Sequence, residues 1–119
     1  MFRIISGKWK AKKISAPKNF DVRPTTDFAK EALFSIIENK YDMQASSVLD
    51  LFAGIGSITL EFASRGCQDV TSVEMNPKHT GFINSTAADL DMAVQISVQR
   101  GDVYEWLRKN RKRKQYEII

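Results

Sequence analysis

A chain of 119 residues, 43% hydrophobic and 27% charged, has the make-up of one soluble globular domain rather than a disordered or fibrous protein. Its single cysteine, Cys67, excludes an internal disulfide and suits a reducing cytoplasm, and no apolar run approaches the ~20 residues of a membrane span. The net charge of +4 is uneven: residues 1–23 carry +6, 24–99 carry −6 and 100–119 carry +4, which points to a polyanionic partner gripped at the margins of the body.

In chain order, Phe2, Ile4 and Ile5 lead into Gly7-Lys8, read as a two-residue turn, and Trp9 to Ile14 returns as the second strand of a β-hairpin. Period-two alternation predicts Lys8, Lys10 and Lys12 on one face, with Trp9 and Ala11 on the other. With Arg3, Lys13 and Arg23, these lysines are the candidate nucleic-acid contacts; the alternative is a solvated face that protects an edge strand. Pro17 to Pro24 is an irregular connector, so residues 1–23 form a basic hairpin and connector joined to the body of the domain over 24–119. Asp27 to Asn39 is predicted helical, with Phe28, Ala32, Leu33, Ile36 and Ile37 as its apolar stripe. Thr25, Thr26 and Asp27 offer oxygens for its N-cap.

The stretch Ser47 to Gly56 is the most informative. A buried strand (Val48, Leu49, Leu51, Phe52) runs into Ala53 and a Gly54-x-Gly56 turn, and a helix over Ser57–Arg65 starts at once. A strand that breaks at glycines before a helix lets a nucleotide-like ligand approach the backbone. Ile58 and Phe62 face inward along that helix, Glu61 and Arg65 form an i, i+4 pair, and Gly66 ends it. The next strand, Val70 to Glu74, closes on a carboxylate twenty residues after Gly54, followed by Met75. An acid at that strand tip accepts hydrogen bonds from ribose hydroxyls, so the pattern is an adenosine-type site.

A dinucleotide fingerprint requires a third glycine, and Thr59 stands in its place. Asp50, just before the loop, repels a pyrophosphate but suits the ammonium and sulfonium charges of S-adenosylmethionine. The reading is therefore S-adenosylmethionine, held by Asp50, Phe52, Ala53, Gly54, Gly56, Glu74 and Met75.

Asn76-Pro77 opens a further helix with Ile83, Ala87 and Leu90 buried and His79 at the surface. A strand over Val94–Val98 leads to Gly101-Asp102 and a helix over Val103–Arg111 with Trp106 and Leu107 buried. Asp50, Glu74 and Asp102 thus stand at successive strand ends, and Asp102 with the Val103 N–H is placed to meet the adenine ring; the alternative for Asp102 is an N-cap. Arg108 to Lys114 reads as a solvated helix end, and Tyr116 to Ile119 begins a fourth strand.

Four segments together resemble a known family: Arg3-Ile4-Ile5-x-Gly7-Lys8-Trp9, Asp21-Val22-Arg23-Pro24-Thr25-Thr26-Asp27, Lys30-Glu31-Ala32-Leu33-Phe34 and Val48 to Gly56. In order and spacing they are similar to the bacterial small-subunit rRNA guanine-N2 methyltransferases (RsmD-like). The resemblance implies an α/β fold, the N-terminal part of a Rossmann-like class I methyltransferase sheet, with about four parallel strands preceded by the basic hairpin and a helix. It implies S-adenosylmethionine as cofactor, small-subunit rRNA or the assembling subunit as partner, and methylation of a guanosine N2. It also makes Arg23 to Thr26, Thr25 included, a wall of the cleft. No residue of the chain is assigned as a catalytic or metal-binding group.

Members of the family carry an Asp/Asn-Pro-Pro-Tyr motif after the fourth strand, and this sequence stops at Ile119 before it. The expectation is an N-terminal portion holding the cofactor half of the site, inactive alone and open to self-association at its sheet edge. A non-catalytic RNA-binding module and a dinucleotide-dependent oxidoreductase fragment are the alternatives.

Overall fold

The computed structural model describes residues 2–20 and 25–119; the Arg23 assignment therefore lies outside the described residues. The elements are β1 (Phe2–Arg3), β2 (Lys13–Ile14), α1 (Asp27–Lys40), β3 (Ser47–Leu51), α2 (Ser57–Ser64), β4 (Asp69–Glu74), α3 (Pro77–Asp89), β5 (Ile96–Arg100) and α4 (Val103–Asn110). β3, β4 and β5 form a parallel sheet in that order, with Ser47 opposite Asp69 and Val70 opposite Ile96. The last residues add to its other side: Val48 bridges Ile118 in parallel, and the Leu49 N–H donates to the Ile118 carbonyl at 2.9 Å. The chain thus steps outward from β3 to β5, then returns to the far flank of β3. That reversal makes the carboxyl end of β3 a topological switch point, the place where open α/β sheets bind ligands.

Strand side chains alternate between two apolar layers, as a sheet covered on both faces requires. Val48 and Val70 join Phe34, Leu60, Phe62, Ile83 and Ala87 on one face; Leu49 and Val73 join Val103, with Trp106 and Leu107 half-buried, on the other. Helix ends follow the local chemistry. The Thr26 hydroxyl accepts from Ala29 N at 3.2 Å, and the Asn76 side chain accepts from Lys78 N with Pro77 as the first helical residue. β5 begins two residues later than the apolar run predicts, and Val94 is fully exposed in the turn before it.

Two expectations are corrected by packing. The hairpin is not a two-residue turn. Its strands pair only at Phe2–Ile14 and Arg3–Lys13, and residues 5–11 form a wide loop closed by Ala11 N to Ile4 O at 2.8 Å. The loop is shaped by docking: Gly7, at φ +90°, lies so close to the end of α2 that a Cβ would sit 2.0 Å from the Ser64 carbonyl oxygen. Lys8, Lys10 and Lys12 are exposed, but as loop residues and not as one face of a strand.

The buried face of α1 is not the predicted stripe either. Phe28, Leu33 and Ile36 are exposed, while Lys30 and Phe34 are fully buried. The reason is a carboxylate. Glu61 of α2 has no exposed surface, and its oxygens accept from Ile5 N (2.9 Å), Ser6 N (3.1 Å) and Arg65 Nε (2.8 Å). Lys30 Nζ stands 3.4 Å from Glu61 and donates to the Arg3 carbonyl at 2.6 Å. Burial lowers the Lys30 ammonium below its ordinary range, and the Glu61 charge opposes that shift.

Removing the carboxylate leaves a buried ammonium without its counter-charge. Glu61→Ala is expected to lower stability by about 3–5 kcal/mol. Urea denaturation at neutral pH reads this directly, and a change below 1 kcal/mol would mean that the pair is dispensable.

Candidate functional site

The carboxyl ends of β3 and β4 are tied together by one side chain. Glu74, the last residue of β4, accepts from Gly54 N at 2.8 Å through one oxygen and from Asn76 N at 2.9 Å through the other. Gly54 has φ +60°, and a Cβ built there would meet nothing within 4 Å, so the loop leaves its backbone open to approach. Gly56 caps α2 in a left-handed conformation. Between strand and loop, Phe52 is held at φ +58°, a region that non-glycine residues seldom occupy, with its ring largely exposed. That ring meets the exposed ring of Tyr104 edge-on at 6.1 Å. Met75, next to Glu74, is exposed as well.

Asp50 lies below the loop. Its Oδ2 accepts from the Thr59 hydroxyl at 2.6 Å, and Thr59 Oγ1 lies 2.5 Å from the buried Ser72 hydroxyl. Burial pushes the Asp50 carboxyl up to about 6; the Thr59 bonds pull the other way, and the Glu74 charge adds to the rise. The charge of Glu74 beside Asp50 makes this edge of the sheet negative in potential, which favours a cationic ligand.

Among the described residues, three buried side-chain polar atoms lack a hydrogen-bond partner: Ser57 Oγ, His79 Nδ1 and Trp9 Nε1. Buried polar atoms are paired as a rule, so the exceptions mark places where a ligand or water fits. Ser57 opens α2 beside the glycine loop. His79 is not the surface residue expected: its side chain is 13% exposed, its Nδ1 lies 3.5 Å from Glu74, and Phe20 packs on its ring at 5.3 Å.

Asp50, Phe52, Ala53, Gly54, Gly56, Glu74 and Met75 therefore gather at one sheet edge, with Asp102 and Val103 at the end of β5. Asp102 caps α4, its carboxylate accepting from Tyr104 N and Glu105 N at 2.8 and 3.2 Å. Thr25 lies exposed beside the Thr26 cap of α1. The hairpin lysines are elsewhere. Lys8 N donates to Ser64 O at the far end of α2, an eight-residue helix spanning about 12 Å from the glycine loop. Arg3 pairs with Asp27 at 2.6 Å. Sequence reasoning missed Ser57, Ser72, His79 and Tyr104; the one available signal was Thr59, a hydroxyl where the dinucleotide pattern has glycine.

Residues 2–119 match the family model described as Conserved hypothetical protein 95. Among curated proteins, the chain is 33% identical over 117 residues to "Ribosomal RNA small subunit methyltransferase D" of Buchnera aphidicola subsp. Baizongia pistaciae, covering 98% of this chain but only 58% of that protein. Among solved structures, a "Putative methyltransferase yhhF" from Escherichia coli superposes with a TM-score of 0.78 at 31% identity, over 89% of this chain and 56% of the other. An RNA methyltransferase from Salinibacter ruber in complex with S-adenosyl-L-homocysteine shares the fold, with a TM-score of 0.61 at 19% identity over 70% of this chain and 52% of that one.

The buried Asp50 gives a pH test. Its carboxyl titrates near 3.9 in an unfolded chain and about 6 in the folded one. Between those values the folded state keeps a proton that the unfolded state has released, so stability falls as pH rises through this window and is level above it. Asp50→Asn should therefore be more stable than the parent at pH 7.5, by on the order of 2 kcal/mol, and show no such gain at pH 3.5. Urea midpoints at the two pH values decide; an equal difference at both would show that ionisation is not the cause.

Proposed function

The chain belongs to the Conserved hypothetical protein 95 family, and on that premise we propose that it is the cofactor-binding part of an S-adenosylmethionine-dependent methyltransferase acting on the exocyclic N2 of a guanosine in small-subunit rRNA. The Glu74–Gly54 bond at the switch point carries this reading, because it sets a carboxylate beside an open backbone where a ribose and its neighbours bind. The negative potential of Asp50 and Glu74 supports a sulfonium ligand over a pyrophosphate. The unpaired Ser57 hydroxyl supplies a further polar contact, and the exposed Phe52 and Tyr104 rings an apolar surface at the mouth of the loop. Support for rRNA as the substrate comes from the name of the Buchnera relative, and support for the cofactor from the S-adenosyl-L-homocysteine complex of the Salinibacter enzyme.

In this reading Glu74 accepts from the ribose hydroxyls with the lone pairs that Gly54 and Asn76 leave free, and the Gly54–Gly56 loop holds the amino-acid end of the cofactor. Asp50, ionised above about pH 6, holds the positive charge. Bound S-adenosylmethionine supplies an electrophilic methyl group on sulfur. A guanine amine is a weak nucleophile, so the protein's part is to hold it unstacked and aligned. The chain spans 58% of its Buchnera relative, and its 119 residues contain no Asp/Asn-Pro-Pro-Tyr segment to orient that amine.

Glu74→Ala is expected to weaken S-adenosylmethionine binding by about 1.5–3 kcal/mol, the range for hydrogen bonds to a charged group. Titration calorimetry on the 119-residue chain measures it. A dissociation constant that does not change would leave Glu74 as a brace between loop and helix with no contact to the cofactor.

A further inference from the structure

The run Arg108-Lys109-Asn110-Arg111-Lys112-Arg113-Lys114 contains six cations in seven residues, and the fold gives it a definite place. α4 starts at Asp102, at the acidic carboxyl edge, and runs back along the sheet, so its end and the following turn lie at the amino edge. The run is pinned at both ends. Arg108 pairs with Glu105, the Asn110 amide donates to Trp106 O at 2.8 Å, and Lys114 Nζ reaches Asp69, the first residue of β4, at 2.5 Å. The central cations are different: Lys109, Arg111, Lys112 and Arg113 are not in any ion pair among the described residues, and all are exposed. Four like charges held within five residues repel one another, a cost that a bound polyanion removes.

The hairpin loop docks nearby. Lys8 N and Trp9 N bond Ser64, and Lys114 bonds Asp69, so the two basic segments, about a hundred residues apart in sequence, sit at either end of the connection 64–69. Lys10, Lys12 and Lys13 add exposed charge on the hairpin side. The molecule is therefore polarised: Asp50, Glu74 and Asp102 lie at the carboxyl edge, and the two basic segments lie at the opposite one.

We propose that Lys109, Arg111, Lys112 and Arg113 form a second phosphate-binding surface, which with the hairpin loop grips an RNA backbone along the amino edge of the sheet. The inference rests on the proposed rRNA substrate and deepens it. It places the sequence-independent grip on the side away from the cofactor, leaving the acidic edge free to receive a base. A surface of this kind reads phosphates and not sequence, so its signature is salt dependence.

The test measures binding of a fluorescein-labelled small-subunit rRNA fragment to the 119-residue chain by anisotropy, from 50 to 300 mM potassium chloride. Three proteins are compared with the parent: Lys109→Ala/Arg111→Ala/Lys112→Ala/Arg113→Ala, the milder Lys112→Ala/Arg113→Ala in the turn after α4, and Lys8→Ala/Lys10→Ala/Lys12→Ala. Each lost contact should flatten the slope of log K against log salt by about 0.7, so the fourfold variant loses about 3 and the double about 1.4. The fourfold variant should also bind about 10-fold or more weakly at 100 mM salt. S-adenosylmethionine affinity, measured in parallel, should be unchanged in all three, which also shows that they are folded. If the slope does not move in the double variant, or if the parent does not bind the RNA at 50 mM salt, the inference is overturned. Loss of cofactor binding by the parent, with the slopes falling as stated, would overturn the methyltransferase reading and leave the RNA grip standing.

Discussion

A carboxylate sealed from water organises this chain. Glu61 stands inside α2, where an isolated charge is untenable, and the fold surrounds it with two backbone N–H groups from the hairpin, the Arg65 guanidinium along its own helix and the Lys30 ammonium from α1. Three segments distant in sequence meet at that charge. The charge also explains why α1 turns Lys30 inward beside Phe34 and leaves Phe28 and Ile36 outside. Arg65 extends the network by stacking over the Phe34 ring, 4.6 Å from its centroid, and by reaching Glu38. Such a cluster contributes less net stability than an apolar core of equal size, but losing one partner leaves the other charge buried and unpaired, which ties hairpin, α1 and α2 together.

That arrangement reaches the candidate site through α2. The helix is clamped at Glu61 and Ser64 from below, so its first turn, with Gly56 and Ser57, is held rigidly under the switch point. From above, Glu74 bonds the loop to the neighbouring strand end. The site that results is poorly suited to stability. It keeps a carboxyl whose pKa is raised by burial, an aromatic residue in a left-handed conformation and two buried polar atoms without partners, Ser57 Oγ and His79 Nδ1. Features of this kind are retained where a ligand uses them. Charge is divided in the same spirit, with acids where a cationic cofactor is proposed and bases where a phosphate backbone is.

Much of this was legible in the linear order of residues. The strand Val48 to Leu51 followed by glycines, the acid closing the next strand and the Asn76-Pro77 helix start are all local signals, and β3, β4 and the start of α3 formed within two residues of their expected bounds. Their common location followed as well, because parallel strands joined by helices bring their carboxyl ends to one edge whatever else the chain does. The family pattern in Arg3 to Trp9 and in Val48 to Gly56 pointed to the class of chemistry, which spacing alone did not carry.

What only the tertiary structure decided are the contacts between segments far apart in the chain. No periodicity marks Lys30 as a core residue or Glu61 as its counter-charge, since both read as ordinary polar positions on amphipathic helices. The shape of the hairpin tip depends on Gly7 pressing against Ser64, 57 residues away, and so escapes turn rules based on neighbours. His79 was read as a surface residue because nothing nearby in sequence announces Phe20 and Glu74 on either side of it. By itself the sequence determined the strands and helices of the α/β body and the edge at which the candidate residues gather, because those follow from local propensity and strand direction. Burial, pairing and the meeting of the two basic segments depend on long-range packing, and only the folded chain brings those partners together.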